Sequence, residues 1–337
     1  MTGTLTLHTV GPAVTVQDLG RPGHRPEGLS LGGAADRMAL FEAAALLDAQ
    51  QALPALEMAG MGGTFSVSAP TRVALTGAPM QATLHGQPLG WNGTHVVLPG
   101  QPLRIGGALA GTYGYLTFGG GLGLKPWLGS ISTHLAAGLG ACLAAGATLP
   151  LGRDPDLDAA PMVLRPEARF DGGSLCIMPG PQTNLFPEHD RARLAATPFT
   201  RAVQANRQGM RLAFDGAPFI ARRTSGLASD FVEPGDVQMT GEGHPYILNC
   251  ECQTMGGYPR IGTILPEDLP RVAQAPVGAP LRLEWTDWPA ADTAARSDAQ
   301  HLAEARRRLS PLVRDPHQMH DLLSYQLVSG ATAGDDL

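Results

Sequence analysis

The sequence predicts a mainly β protein built from two β-barrel units, with few and short helices. Its 337 residues include 43 glycines and 29 prolines, well above the roughly 12% of average usage, which favours short strands and tight turns. Two stretches recur in the same order in both halves: Thr6–Pro12 resembles Leu175–Pro181, and Pro99–Ile105 resembles Pro276–Leu283. Such ordered repetition predicts a duplicated structural unit.

Residues 1–152 are predicted to form the first unit. A strand pattern covers residues 4–16, and a helix is predicted for Asp36–Gln50, which contains no glycine or proline. Short runs separated by turn residues follow and are typical of a β-meander or barrel. These runs are Thr64–Ser68, Arg72–Thr76, Gln81–Leu84, Thr94–Leu98, Leu103–Ile105 and Tyr113–Phe118.

The second half is predicted to consist of a linker, a barrel and a tail. Residues 153–170 carry charge and proline without clear periodicity, which indicates a linker. Residues 171–288 form the second predicted β unit, and 289–337 a helical tail. Within this tail, apolar residues at helical spacing predict the longest C-terminal helix near 293–312.

Composition excludes several classes of function. The net charge of −6 argues against nucleic-acid binding. Lys125 is the only lysine and precedes Pro126, so the chain has no phosphate-binding P-loop. No apolar run is long enough to span a membrane and no secretory signal opens the chain, so we expect a cytoplasmic protein without membrane contact. Cys250 and Cys252 are the only close cysteine pair, and without further ligands at motif spacing no metal site is expected.

Four turn-like segments combine amide, carboxylate or guanidinium groups with glycine or proline. They are residues 15–23, 180–182, 206–211 and 253–259. A small polar substrate requires several convergent donors, which predicts that these segments meet at one cleft. The alternative is that each turn uses its polar side chain to close itself.

The same segments resemble the allophanate hydrolase subunit 2 family over about residues 4–288. The resemblance rests on Val16–Gly23, Ala55–Glu57, Leu75–Ala78, Leu128–Ser130 with Ser132 and Thr133, Gly180–Gln182 and Gln253–Pro259. It implies cyclophilin-like barrel units and a subunit of an ATP-dependent amidohydrolase complex of the 5-oxoprolinase type. That complex would open 5-oxoproline or a similar small amide, with a related subunit 1 (or B) and a third subunit as partners and ATP used by the whole complex.

Two other functions stay open. One is the carboxyltransferase half of a biotin-dependent urea or amide carboxylase, with biotin carried by another protein because Lys125 lies in Leu-Lys-Pro. The other is a non-catalytic regulatory subunit that binds its subunit 1 partner. Two departures from the family pattern, Ile131 and Cys252, each replace an arginine, and they point to a neutral or unusual substrate.

For an enzyme of this type we expect three catalytic residues. Asp18 would act as general acid/base or orienter, Arg21 would hold an anionic oxygen, and Gln253 would polarise a carbonyl. The predicted substrate-binding residues are Gln17, Gln182, Arg207, Thr254, Gly257 and Tyr258.

Overall fold

The structure, a computed structural model, describes residues 3–222 and 227–312. Part of the predicted helical tail, residues 313–337, therefore lies outside the described residues. The described chain is mainly β with few helices, which confirms the predicted fold class. Its first part contains β1 (Gly3–Val10), β2 (Val14–Gln17), α1 (Arg37–Leu46), β3 (Ala55–Ala59), β4 (Met61–Val67), β5 (Thr71–Gly77), β6 (Met80–Leu84), β7 (Gln87–Pro88), β8 (Gly93–Val97), β9 (Leu103–Ala108), β10 (Tyr113–Phe118), β11 (Thr148–Leu151) and β12 (Met162–Leu164).

The remaining elements form most of the second unit and the C-terminal segment. They are β13 (Gly173–Met178), α2 (Glu188–Ala196), β14 (Phe199–Ala205), β15 (Gly209–Ala213), β16 (Asp230–Phe231), β17 (Asp236–Met239), β18 (Pro245–Leu248), β19 (Met255–Gly256), β20 (Arg260–Ile264), α3 (Leu269–Gln274), β21 (Pro280–Trp285), α4 (Trp288–Ala294), α5 (Asp298–Arg307) and β22 (Leu309–Pro311).

The first unit consists of two sheets with a shared core. One sheet has the order β11-β1-β4-β9-β6-β7, and the other the order β2-β3-β10-β5-β8-β12-β22. Strand alternation directs Leu5 and Leu7 of β1 inward, where they pack in one cluster with Leu56, Phe65 and Leu116. The apolar faces of the two sheets therefore bury each other.

The second unit is a closed barrel with the strand order β13-β20-β17-β18-β15-β14-β21. The parallel pair β13 and β21 closes it, and the short pair β16 and β19 lies outside it. Its core includes Leu175, Leu212, Val237 and Ile247, all fully buried. Closure leaves no unpaired edge strand in this barrel.

Helix α1 occupies most of the predicted range Asp36–Gln50. Asp36 caps it by accepting a hydrogen bond from the Ala39 amide at 3.3 Å. Helix α5 covers α1, and Phe41 stacks on His301 with ring centroids 5.4 Å apart. Because α1 is buried on all sides, Glu42 is also buried and requires a cationic partner.

The predicted helix at residues 293–312 is divided into α4, α5 and β22. Ser297 and Gln300 form a capping box that starts α5, so α4 ends before it. β22 pairs with β12, which lies inside the segment predicted as a linker, and β12 pairs with β8 of the first unit. Both segments thereby extend a sheet of the first unit. No helix within the described ranges is long and apolar enough to cross a membrane.

Candidate functional site between the two units

Asp18 and Arg21 belong to a group of loop residues that we call the loop cluster: Asp18, Gly20, Arg21, Trp127, Ser130, Ile131 and Ser132. The Asp18 carboxylate accepts hydrogen bonds from the Gly20 amide at 2.8 Å, the Ser130 hydroxyl at 2.6 Å and the Ile131 amide at 2.8 Å. These three donors satisfy the carboxylate internally and join the two loops.

The Arg21 side chain is buried and donates only to protein oxygens. Nε donates to the Trp127 carbonyl at 3.1 Å, and one terminal nitrogen to the Ser132 hydroxyl at 2.9 Å. The other terminal nitrogen donates to the Ser132 carbonyl at 2.6 Å and the Ser130 carbonyl at 3.4 Å. Burial lowers the pKa of Arg21, an effect that the nearby Asp18 opposes. Arg21 therefore holds the loops together.

Gln17 is fully buried beside this cluster. Its amide nitrogen donates to the Thr15 hydroxyl at 3.0 Å and to the Thr133 carbonyl at 3.1 Å. Its amide oxygen makes no hydrogen bond within the described residues. Like Asp18 and Arg21, Gln17 binds neighbouring loop atoms.

The predicted residues of the barrel other than Arg207 lie away from the loop cluster. Gln182 donates to Asp230 at 3.3 Å and accepts from the Arg260 amide at 3.0 Å. Gln253 and Tyr258 line an open surface cavity of about 520 Å³.

Two further predicted residues are near that surface. Thr254 is buried, and its carbonyl accepts a hydrogen bond from the Val232 amide at 3.1 Å. Gly257 is next to Ser229. Asp18 lines a different cavity, with Ile131 and Leu302, so the structure places Asp18 and Gln253 at separate cavities.

Arg207 is the predicted residue that the fold places between the two units. It follows β14 in the turn to β15, and its buried guanidinium crosses to the first unit. It donates to Glu57 of β3, to Glu251 at 2.5 Å and to the Gly33 carbonyl at 2.5 Å. Gly33 has φ +76, and a Cβ there would lie 2.6 Å from the Gly20 nitrogen, so only glycine fits.

The two carboxylates that bind Arg207 have additional donors. Glu57 accepts from the Ala35 amide at 2.8 Å and from the Tyr115 hydroxyl at 2.7 Å. Glu251 accepts from the Ala136 amide at 2.9 Å. Burial by itself would lower the pKa of Arg207, but the two carboxylates outweigh it and raise that pKa well above its ordinary value. Arg207 is therefore a permanent cation.

A second buried ion network lies behind the first. Arg169 donates to Asp36 at 2.8 Å and to both oxygens of Glu42 at 2.9 and 2.7 Å. Gln274 of the second unit donates to Asp36 at 2.8 Å and accepts from the amides of Thr112 and Tyr113, both at 2.9 Å. These bonds tie α1, the linker segment and the second unit together.

Between the units is a cavity of about 570 Å³, which we call the inter-unit cavity. Its charged and hydroxyl-bearing wall residues are Thr15, Glu57, Thr112, Tyr113, Arg201, Arg207 and Glu251. A second, more enclosed cavity of about 290 Å³ shares Tyr113 and Arg207 with it. The walls of this second cavity include the apolar residues Met38, Phe41, Leu269 and Pro270, together with charged residues such as Arg37, Glu233 and Glu267. A mostly apolar pocket with a few convergent polar groups is typical of a small-molecule site.

Ser30, His134 and Glu251 are arranged like a hydrolase triad. The His134 Nε2 atom is 2.9 Å from the Ser30 hydroxyl, and Nδ1 is 3.8 Å from Glu251. Nδ1, however, accepts a hydrogen bond from the Ala137 amide at 3.2 Å, so the proton of the neutral ring is on Nε2. Burial lowers the pKa of His134 and keeps the ring neutral. An Nε2 that carries a proton cannot accept one from Ser30, so these residues form a structural link.

The sequence profile of a protein family, the carboxyltransferase domain with subdomains A and B, matches residues 27–285. The chain belongs to this carboxyltransferase family. The match covers the first unit from residue 27 onward and the barrel, and it confirms the resemblance inferred from the motifs.

Two relatives of this chain carry the same name, that of the C subunit of 5-oxoprolinase. The protein from Haemophilus influenzae is 31% identical over 87% of this chain and 94% of its own length. That from Escherichia coli is 34% identical over 82% of this chain and 89% of its own length.

The fold is also similar to that of the Kluyveromyces lactis urea amidolyase, with a TM-score of 0.80 at 20% identity. The match covers 93% of this chain but only 21% of the amidolyase. At this identity the likeness concerns the fold alone.

Four charged or phenolic wall residues of the inter-unit cavity were absent from the predicted site: Glu57, Tyr113, Arg201 and Glu251. Tyr113 and Arg201 lie in regular strands with no local motif to mark them. Glu57 is the last residue of the motif Ala55–Glu57, and Glu251 stands where the pattern of the resembled family has an aspartate. Their position in or beside these motifs could have identified both residues from the sequence.

Proposed function

We propose that the chain is a subunit of an ATP-dependent amidohydrolase complex that opens 5-oxoproline or a similar small amide. The observation that carries this proposal is the pair of relatives named as the C subunit of 5-oxoprolinase, which match most of this chain. The reaction adds water across the ring amide of 5-oxoproline, breaks its C–N bond and yields glutamate.

In this proposal the substrate occupies the inter-unit cavity. The cavity exceeds the size of a small cyclic amide, and Tyr113, Arg201 and Thr15 bring hydroxyl and guanidinium groups to its wall. Arg207 donates to Glu57, Glu251 and Gly33. We therefore assign Arg207 the role of fixing the two carboxylates and the shape of the wall.

The loop cluster takes a positioning role in the same proposal. Asp18 and Arg21 join the loop after β2 to residues 127–132. Thr133, which follows these residues, donates its amide to the Val16 carbonyl at 2.8 Å. Val16 is in β2 together with Thr15 of the cavity wall, so this cluster would hold one wall of the inter-unit cavity in place.

In this proposal ATP is bound and used by the whole complex, which contains further subunits. ATP hydrolysis supplies the free energy of ring opening, and we place its site in another subunit because the sole lysine, Lys125, precedes proline. The partners are a related subunit 1 (or B) and a third subunit. The two relatives are named as one lettered subunit of an enzyme, which supports such an assembly.

The alternative is carboxyl transfer from biotin carried by another protein. The second cavity favours it, because Met38, Phe41, Leu269 and Pro270 offer an apolar wall to the hydrocarbon part of biotin, while Arg207 and other polar residues of the same cavity can face its ureido group. Those residues would hold the ring beside Arg207, and biotin would supply the carboxyl group. This alternative requires bicarbonate and a biotinylated carrier, which separates it from amide hydrolysis.

The test is reconstitution of the complex with the subunits encoded beside this chain. We expect glutamate release from 5-oxoproline that requires ATP and this chain. Tyr113→Phe, which removes only a hydroxyl from the inter-unit cavity, should lower the rate several-fold. Tyr258→Phe is the matched control at the separate surface cavity.

Three outcomes would contradict the proposal. Carboxylated product that appears only with bicarbonate and a biotinylated carrier would support the carboxyltransferase alternative. Full hydrolysis by the other subunits alone, with this chain only lowering or raising the rate, would support a regulatory subunit. An equal loss of activity in Tyr113→Phe and Tyr258→Phe would remove the inter-unit cavity as the substrate site.

A further inference from the structure

Arg201 extends from β14 of the barrel into the wall of the inter-unit cavity. Its backbone is held on both sides: its amide donates to the Ala279 carbonyl at 3.0 Å, and its carbonyl accepts from the Gly278 amide at 2.8 Å. The strand therefore fixes where the side chain starts.

The guanidinium of Arg201 has no hydrogen-bond acceptor and no carboxylate partner within residues 3–222 and 227–312. Its Nε is buried, so water does not reach that donor. Four other arginines have a buried Nε without a partner, but each donates through another nitrogen. They are Arg37 to Asp298, Arg191 to Asn184, Arg271 to Gly172 and Arg308 to Glu42.

An unpaired, partly buried cation is unfavourable, because burial removes water without supplying a counter-charge. Burial accordingly lowers the pKa of Arg201, with Tyr113 acting in the opposite direction. An anion in the cavity would supply the missing partner. Arginine suits a carboxylate, since its planar fork can donate two parallel hydrogen bonds.

Tyr113 provides a second donor beside Arg201. Its hydroxyl makes no hydrogen bond to any residue in the described ranges, although its backbone is tied to Gln274. Burial and the nearby Glu57 raise the pKa of Tyr113, so the phenol keeps its proton and remains a donor at neutral pH.

The charges of the wall limit the class of anion. Arg207 and Arg201 bring two positive charges, and Glu57 and Glu251 bring two negative charges. A dianion such as phosphate would add two more negative charges beside both carboxylates, whereas a single carboxylate adds one. Because the wall charges sum to zero, a small monoanion is the anion that this wall accommodates at the smallest electrostatic cost.

We infer that Arg201 and Tyr113 bind the carboxylate of a small amide-containing monoanion in the inter-unit cavity. Arg201 is then the residue that selects carboxylate-bearing amides over neutral ones such as urea. That the ligand contains an amide rests on the proposed function, whereas its carboxylate is inferred from the walls of the cavity.

The test is equilibrium binding to the chain and to the reconstituted complex with two matched ligand pairs. 5-Oxoproline is compared with 2-pyrrolidinone, the same ring without its carboxylate, and N-acetylglycine with N-methylacetamide. We expect each carboxylate to bind at least 10-fold more tightly than its neutral partner. Arg201→Gln should weaken the carboxylates 10- to 100-fold and leave the neutral ligands unchanged.

Two variants control for charge and folding. Arg201→Lys keeps the charge without the fork and should retain part of the preference. Arg282→Gln removes an exposed arginine from β21 of the same barrel and should leave all four affinities unchanged.

The outcomes separate this inference from the proposed function. Carboxylate preference that depends on Arg201, in a complex that does not open 5-oxoproline, would uphold the inference and reject the proposed function. Ring opening with a KM unchanged in Arg201→Gln would uphold the proposed function and overturn the inference. Equal affinity for both members of each pair, or no carboxylate binding to either preparation, would also overturn it.

Discussion

The loop cluster and the inter-unit cavity are both rich in polar groups, but they differ in what those groups leave for a ligand. In the loop cluster, both oxygens of Asp18 and all three nitrogens of Arg21 have protein partners. In the inter-unit cavity, Arg201 and the Tyr113 hydroxyl have none within the described residues. If the inter-unit cavity binds the substrate as we propose, unused hydrogen-bonding capacity, and not polarity alone, is what distinguishes it from the loop cluster.

Arg207 shares one property with each of these two regions. It lines the inter-unit cavity, yet its donors are taken up by Glu57, Glu251 and Gly33. Substitutions of Arg207, Arg21, His134 and Arg201 should therefore affect stability to different degrees.

The largest effect is expected for Arg207→Met. The substitution leaves Glu57 and Glu251 buried without their cation, which should lower the free energy of unfolding by about 3–5 kcal/mol. Urea-induced unfolding at pH 7 measures this change. A midpoint within error of the wild type would show that the buried carboxylates of Glu57 and Glu251 do not need Arg207 for stability. It would also remove the contrast between Arg207, whose guanidinium has protein partners, and Arg201, whose guanidinium has none within the described residues.

Arg21→Met should lower the free energy of unfolding by about 2–3 kcal/mol, because buried carbonyls lose a charged donor. The affected acceptors are the carbonyls of Trp127, Ser130 and Ser132. Unfolding and activity are measured on the same preparation. A stable variant that has lost all activity would instead make Arg21 a ligand-binding residue.

The link through His134 predicts a pH dependence. Burial lowers its pKa in the folded protein below the roughly 6.5 of the unfolded chain, so below that pH the unfolded state binds the proton first. Stability should then fall as the pH is lowered through this range, with a contribution of up to about 1.4 kcal/mol per pH unit. Unfolding curves between pH 7.5 and 5 measure the slope. His134→Gln should reduce it, whereas the exposed His189→Gln should not.

The smallest change in stability is expected for Arg201→Gln. No protein partner within the described residues loses a bond, so the free energy of unfolding should change by less than about 0.5 kcal/mol. Thermal and urea unfolding check this value. A loss of several kcal/mol would mean that Arg201 stabilises the fold to the same degree that Arg207 does, and the two arginines could no longer be contrasted.

Much of the secondary structure was accessible from local patterns. The run Tyr113–Phe118 is β10 itself, and Asp36 marks the start of α1. A long helix was expected near 293–312, and α5 lies there, but it covers only Asp298–Arg307 because the Ser297 capping box and the pairing of β22 with β12 limit its two ends. Helical spacing reports an apolar face but does not report competing caps or distant strand partners.

The candidate site was accessible only in part. Arg207 was predicted from its turn beside glycine, whereas Arg201 and Tyr113 have no such local sign. The same turn-based argument also selected Asp18 and Arg21, which the structure shows engaged in the loop cluster. A turn motif does not distinguish a side chain that closes the turn from one that faces a ligand.

By itself, the sequence determined the strand-and-turn composition of two units, the absence of a P-loop around its one lysine and the motifs of the family. Only the tertiary structure decided which polar groups lack protein hydrogen-bond partners and so remain available to a ligand. The partners involved are far apart in the chain: Arg21 and Ser132 by 111 positions, Arg207 and Glu57 by 150. Hydrogen bonds depend on distances of a few ångströms, which for Arg21 and Ser132 exist only once the first unit has folded, and for Arg207 and Glu57 only once the two units have packed together.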